Sequence, residues 1–143
     1  MTEYNKILAA IDLTEESDQV IERARDLANL YNCNLDIVHI IEPLGYAYGG
    51  DFPMDLAEVQ QQLEDHAKQY LKEAGKRYQV ADNQQHVIIG RPETEIHRLS
   101  EESNFDLVVV GSHGRHGIQL LLGSTANGIL HGAKCDVLAV RIQ

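Results

Sequence analysis

The sequence predicts an α/β fold, a doubly wound sheet of five parallel strands with helices on both faces. Three observations predict it. Short apolar runs alternate with helical patterns through the chain, in the order β-α-β-α-β-α-β-α-β. Three of the runs are nearly continuous in apolar residues, as strands covered on both faces must be. The stretch Phe105 to Asn127, FDLVVVGSHGRHGIQLLLGSTAN, passes from a mostly β-branched run into glycines and then into a helix start. A buried strand that feeds a glycine loop and a helix N-terminus is a phosphate-binding arrangement.

Taken in order, Lys6 to Ile11 (KILAAI) has the length and composition of a buried strand, and Asp12 follows it directly. Thr14 is placed as a helix N-cap, with Glu15 and Glu16 in the first turn. Val20, Ala24, Leu27 and Tyr31 then recur at helical spacing until Asn32-Cys33-Asn34 ends the helix. Leu35 to Ile41 is the second strand. Glu42 to Pro53 contains two of the three prolines, three glycines and no periodicity, so it reads as a surface loop. From Met54, a stripe of Leu56, Val59, Leu63, Ala67, Tyr70, Leu71, Ala74 and Tyr78 marks a long helix, weakened near its end by Gly75.

His86 to Ile89 is the third strand, closed by Gly90. Arg91-Pro92-Glu93 opens a helix that carries Ile96 and Leu99 on its apolar stripe, with proline in the tolerated first turn. Leu107 to Val110 is the fourth strand. A last helix runs from about Ser124 to His131 with Gly132 as its stop, and Cys135 to Ile142 is the fifth strand. Right-handed crossovers leave few arrangements of such elements, and the doubly wound ones carry a crevice at the carboxyl ends of the strands. If the first and fourth strands are neighbours, Asp12 and the Gly111 loop face each other there.

Length and composition bound the function. A chain of 143 residues is one domain, spanning 1–143, with room for a sizeable core. A formal net charge of -10 opposes binding to nucleic acid or anionic membranes, which needs a basic face. No apolar run reaches the ~20 residues of a membrane span. The N-terminus lacks a signal-peptide pattern, so a cytoplasmic location is expected. Two cysteines, Cys33 and Cys135, make no disulfide framework and read as buried free thiols.

Gly111-Ser112-His113-Gly114 and Gly123-Ser124-Thr125 flank one loop, and together they offer backbone N–H groups and hydroxyls to a di- or triphosphate. The plainer reading is a tight strand-to-helix connection with an N-cap. No G-x-x-x-x-G-K-[ST] is present, which excludes a P-loop NTPase. The first strand-to-helix turn, AIDLTEES, has no glycine, which argues against an NAD or FAD oxidoreductase. His113, His116, His131 and Cys135 invite a zinc reading, but a third ligand beside His113 and His116 would have to come from His131 or from Cys135, which opens a strand pointing elsewhere. His39 reads as a core or crevice histidine bonded to backbone. No G-x-S-x-G elbow or other catalytic set appears.

KILAAID, VHIIEP, GRP and DLVVVGSHG…GST…CDVLAVR together resemble the universal stress protein family, and the bacterial A-type branch in particular. The resemblance covers essentially the whole chain. It implies a Rossmann-like sheet of strand order 3-2-1-4-5, a cytoplasmic homodimer and a role in the stress response. Members that bind ATP carry G-x2-G-x9-G-[ST]. Gly111, Gly114 and the Gly123-Ser124 pair match it, but only eight residues, Arg115 to Leu122, separate Gly114 from Gly123.

By that resemblance Ala10 and Asp12 lie near adenine and ribose, and Ile40 offers backbone groups to the adenine edge. Val110, Gly111, His113 and Gly114 approach ribose and phosphates, while Gly123, Ser124 and Thr125 hold the terminal phosphates. ATP, with Mg2+ where needed, is the implied ligand. For Asp12 a loop or helix-capping carboxylate is the plainer alternative. Val137 to Arg141 is the implied edge strand, and pairing it with the same strand of a second copy would cover an exposed edge. A nucleotide-free A-type protein working through protein contacts, and a slow ATPase, are the alternatives.

Overall fold

The structure, a computed structural model, describes residues 3–43, 56–112 and 124–142. Its elements are β1 (Lys6–Ala10), α1 (Ser17–Tyr31), β2 (Asn34–Ile41), α2 (Leu56–Tyr78), β3 (Gln85–Ile89), α3 (Pro92–Glu102), β4 (Leu107–Gly111), α4 (Ser124–Gly132) and β5 (Asp136–Val140). The strands form one parallel sheet in the order β3-β2-β1-β4-β5, a Rossmann-like arrangement. The chain winds outward one way from β1 to β3, then crosses back to β4 and β5. The order therefore reverses between β1 and β4, where a doubly wound sheet opens a crevice at its carboxyl ends.

Alternation along the strands divides the core into two layers. On one face Ile7, Ala9, Leu35, Ile37, Leu107 and Val109 pack with Val20, Ile21, Ala24 and Ala28 of α1 and with Leu71 and Ala74 of α2. On the other, Leu8, Val38, Ile40, Val108 and Val110 pack with Ile96 of α3 and Ile129 of α4. Both layers are apolar because helices cover both faces, which is why the strand runs lack the polar alternation of a half-exposed sheet.

Several local expectations are corrected. Thr14 is not the cap of α1: the helix begins at Ser17 with Glu16 at the cap position, and the Thr14 side chain is engaged with Asp12 instead. Asn32 ends α1 as expected, in the left-handed conformation at φ 54°, with Cys33 N–H donating to the Ala28 carbonyl at 2.9 Å. Gly75 is no weak point in α2. It is buried, and a Cβ there would run into the Gln85 amide and the Val80 carbonyl, so close packing requires glycine. Gly132 is the last residue of α4, and a side chain there would collide with the His97 ring.

Strand β5 ends at Val140, and Cys135 precedes it. Cys33 and Cys135 are free but only half-buried, and burial is the main cause raising both thiol pKa values. Most of the irregular segment from Glu42 to Pro53, and the helix start placed at Met54, lie outside the described residues.

Candidate functional site

A cavity of about 630 Å³ opens where the strand order reverses. Its floor and walls are the carboxyl ends of β1, β2 and β4, the turn after β1, the first turns of α1 and α3, and part of α2. Ala10, Asp12, Ile40, Val110 and Gly111 all line it, so five of the sequence-expected residues come together at one place. Ser124 and Thr125 open α4, and are described here by that position alone. His113, Gly114 and Gly123 lie outside the described residues.

Asp12 is the most heavily organised group in the crevice. Leu13 follows it with φ 62°, a left-handed conformation that a bulky residue seldom adopts and that costs on the order of 1 kcal/mol or more. The turn this makes folds Thr14 back onto Asp12. The Asp12 Oδ1 then accepts three hydrogen bonds, from Thr14 Oγ1 at 2.7 Å, Ser17 Oγ at 2.7 Å and Thr14 N–H at 3.2 Å. Its Oδ2 has no protein donor among the described residues. Burial pushes the Asp12 pKa up, but the hydrogen bonds from Ser17 and Thr14 outweigh it, and the carboxyl is held below its ordinary value. Asp12 is thus both the loop-organising carboxylate and a crevice residue, with one oxygen fixing the side chain.

His39 is a crevice histidine bonded to backbone, as its sequence position predicts. Its Nδ1 lies 2.8 Å from the Ile11 carbonyl; since a carbonyl can only accept, that nitrogen carries the proton. Tyr70 donates its hydroxyl to the Thr14 carbonyl at 2.8 Å, tying α2 to the turn beneath Asp12. Gly111 sits at the crevice edge, where a Cβ would press on Ile142 and Val20 at 3.3 and 3.4 Å. A side chain there would require Ile142 or Val20 to shift by a few tenths of an ångström.

Sequence reading missed Glu16, Glu42, Leu63, His66, Pro92 and Ile96 as crevice residues. Pro92 and Ile96 have a discoverable signal, since the start of any helix following a strand of this sheet lies at its carboxyl end. Leu63 and His66 do not, because an apolar stripe on a helix looks the same whether it covers core or cavity. The described lining contains three carboxylates, Asp12, Glu16 and Glu42, and two imidazoles, but no lysine or arginine. Among the described residues no group of three or more His, Cys, Asp or Glu is placed to hold a metal ion. No described helix is long and apolar enough to cross a membrane.

A family model described as "Universal stress protein family" matches residues 3–141. The chain belongs to the universal stress protein family. It is 46% identical over 138 residues to the Universal stress protein A homolog 1 of Coxiella burnetii, covering 96% of each chain. Among solved structures it resembles the universal stress protein UspA from Lactobacillus plantarum, with a TM-score of 0.82 and 20% identity over the full length of both. It also resembles a universal stress protein solved in complex with cAMP, with a TM-score of 0.69 and 23% identity over 97% of this chain and 98% of the other. At such identities the two structures establish a shared fold. The sequence relatives, by contrast, carry the A-type resemblance.

Proposed function

We propose that this universal stress protein binds an adenine nucleotide, ATP with Mg2+, in the crevice between β1 and β4, and acts in the stress response as a cytoplasmic homodimer with little turnover. The observation that carries the reading is Asp12: its Oδ1 is pinned by three donors and its Oδ2 is left for a ligand, beside Ala10, Ile40, Val110 and Gly111. A carboxylate oxygen fixed in this way suits a ribose hydroxyl, which donates to it without a side chain having to be ordered first. A related fold solved with cAMP supports an adenine nucleotide as the ligand class. His113, Gly114, Gly123, Ser124 and Thr125 take the phosphates in this reading. Mg2+ offsets the repulsion between those phosphates and the Asp12, Glu16 and Glu42 carboxylates.

A second reading is favoured by a specific observation. The eight-residue spacing from Gly114 to Gly123 is one short of the nucleotide-binding pattern, and three carboxylates line a crevice without a described cation. Under it the protein carries no nucleotide and works through protein contacts. Equilibrium dialysis against ATP with Mg2+, with cAMP as a parallel ligand, separates the two. Retention of ATP supports the first reading. No retained nucleotide at about 1 mM, where even ~4 kcal/mol of affinity would register, supports the second.

The dimer is proposed through β5, the strand at one edge of the sheet. Asp136 N–H donates to Asp106 and the Val140 carbonyl accepts from Ser112, so those residues face β4. By alternation Val137 and Ala139 turn their backbone groups outward. Ala139→Pro therefore removes an outward donor and keeps the ladder to β4. A folded monomer in light scattering is the expected product, and an unchanged dimer would place the interface elsewhere.

A further inference from the structure

The apolar stripe of α2 continues beyond the core it should serve. Over Leu56–Tyr78 the buried residues are Ala67, Leu71, Ala74 and Gly75, and none lies before Ala67. The helix runs from the carboxyl end of β2 back to the amino end of β3, so its first three turns, about 16 Å, stand at the crevice end of the sheet. Leu63 is 39% exposed there, although it sits on the same stripe as Ala67 and Leu71. Leu63 and His66 are three residues apart, hence neighbours on one helical face, and both line the crevice. The His66 ring has no hydrogen-bond partner among the described residues.

The chemistry of the neighbouring wall limits what these two side chains can meet. Ile11, Val38, Ile40, Ile96 and Val110 make the lining apolar, and its charged members are carboxylates. Among the described residues phosphate has no lysine or arginine partner in this half of the crevice. An uncharged, flat heteroaromatic ring does fit: it offers apolar faces to isoleucine, valine and leucine, and a stacking surface to an imidazole.

We propose that the first half of α2 is a wall of the ligand site, and that Leu63 and His66 hold the purine base of the bound nucleotide. The assignment rests on the nucleotide reading above and adds to it the residues that recognise the base. Covering Leu63 removes apolar surface from water that the protein alone leaves wet, so part of the binding free energy comes from α2.

The test is calorimetric titration of adenosine, which has no phosphate, and of ATP with Mg2+ into the wild-type protein, Leu63→Ala, His66→Ala and the control Gln61→Ala, an exposed residue on the opposite side of the helix. Both wall variants are expected to weaken adenosine and ATP by a similar factor, on the order of tenfold for Leu63→Ala, with the control unchanged. Thermal melts within a few degrees of wild type would confirm that the variants are folded. As a second measurement, 8-azidoadenosine should label the α2 peptide containing Leu63 and His66 on irradiation.

Wild-type binding that survives both substitutions, or label found only on other peptides, overturns the wall and leaves the nucleotide reading standing. Loss of ATP affinity with adenosine unaffected also overturns it, because α2 would then be meeting phosphates. A wild-type protein that takes up neither ligand overturns the nucleotide reading and this inference together.

Discussion

The two ends of the sheet use their polar groups in opposite ways. At the amino end Asp106, Lys6 and Tyr4 are all spent on the protein. Asp106 accepts the N–H groups of Asn5 and Lys6 at 2.8 and 3.1 Å, Lys6 Nζ donates to the Ser103 carbonyl at 2.6 Å, and Tyr4 donates to Asp136 at 2.7 Å. The Lys6 ammonium also lies 4.6 Å from the centre of the Phe105 ring, and Tyr4 packs edge-on against Tyr31. At the carboxyl end Asp12 keeps one oxygen out of any hydrogen bond to the described residues, Leu13 holds a costly backbone conformation, and Leu63 and His66 stand beyond the core. One end fastens the strands together; the other holds strain and, among the described residues, leaves groups unmatched.

Substitutions at the two ends should therefore move different observables. The largest stability effect is expected at the amino end. Asp106→Ala strands the backbone N–H groups of Asn5 and Lys6 at the start of β1, and should cost about 2 kcal/mol in denaturant unfolding. An effect below a few tenths would mean that water replaces the carboxylate freely, and the contrast between the ends would weaken. Asp12→Asn keeps the shape and an acceptor oxygen for Thr14 and Ser17, so it should cost about 1 kcal/mol or less in the same assay.

A smaller effect, carried by pH, sharpens the account of Asp12. Its folded pKa lies below the unfolded value of ~3.9, so its contribution is complete above that pH and is lost as pH falls through the folded value. Ser17→Ala removes one hydroxyl donor and raises the folded pKa toward the ordinary one. The stability deficit of this variant should hence be largest near neutrality and shrink below about pH 4. A deficit that stays constant into acid would mean that Ser17 acts through packing alone.

The smallest effect is at the other end. The hydrogen bond to Asp136, aided by burial, pushes the Tyr4 pKa up to about 12, above the ordinary 10.0. The stability this bond contributes is present below pH 10 and is lost as pH rises through about 12. Tyr4→Phe should remove one component near pH 12 from the ultraviolet titration of tyrosinate, with little change in stability at neutral pH.

Much of the fold was legible because its causes are local. Nearly continuous apolar runs record burial on both faces, and Pro92 or Asn32 records a helix boundary in a single residue. Asp12 could be singled out because the end of the first strand is where a doubly wound sheet places its crevice. Other features depend on partners far along the chain. Asp106 looks like any acid before a strand, since the backbone it binds belongs to residues 5 and 6. Gly75 reads as a weakness until Gln85 and Val80 are seen against it. Leu63 reads as core because helical periodicity reports a common face and says nothing of what covers that face. Thr14 has the composition of a cap, but Asp12 is close enough to claim its hydroxyl.

The division between the two ends is tested most directly by titrating ATP with Mg2+ into the wild-type protein, Asp12→Asn and Asp106→Ala under conditions where all three are folded. Binding in the wild type, weakened about tenfold or more by Asp12→Asn and unchanged by Asp106→Ala, is the predicted result. Wild-type protein that binds no nucleotide at about 1 mM, or equal losses in the two variants, would contradict it.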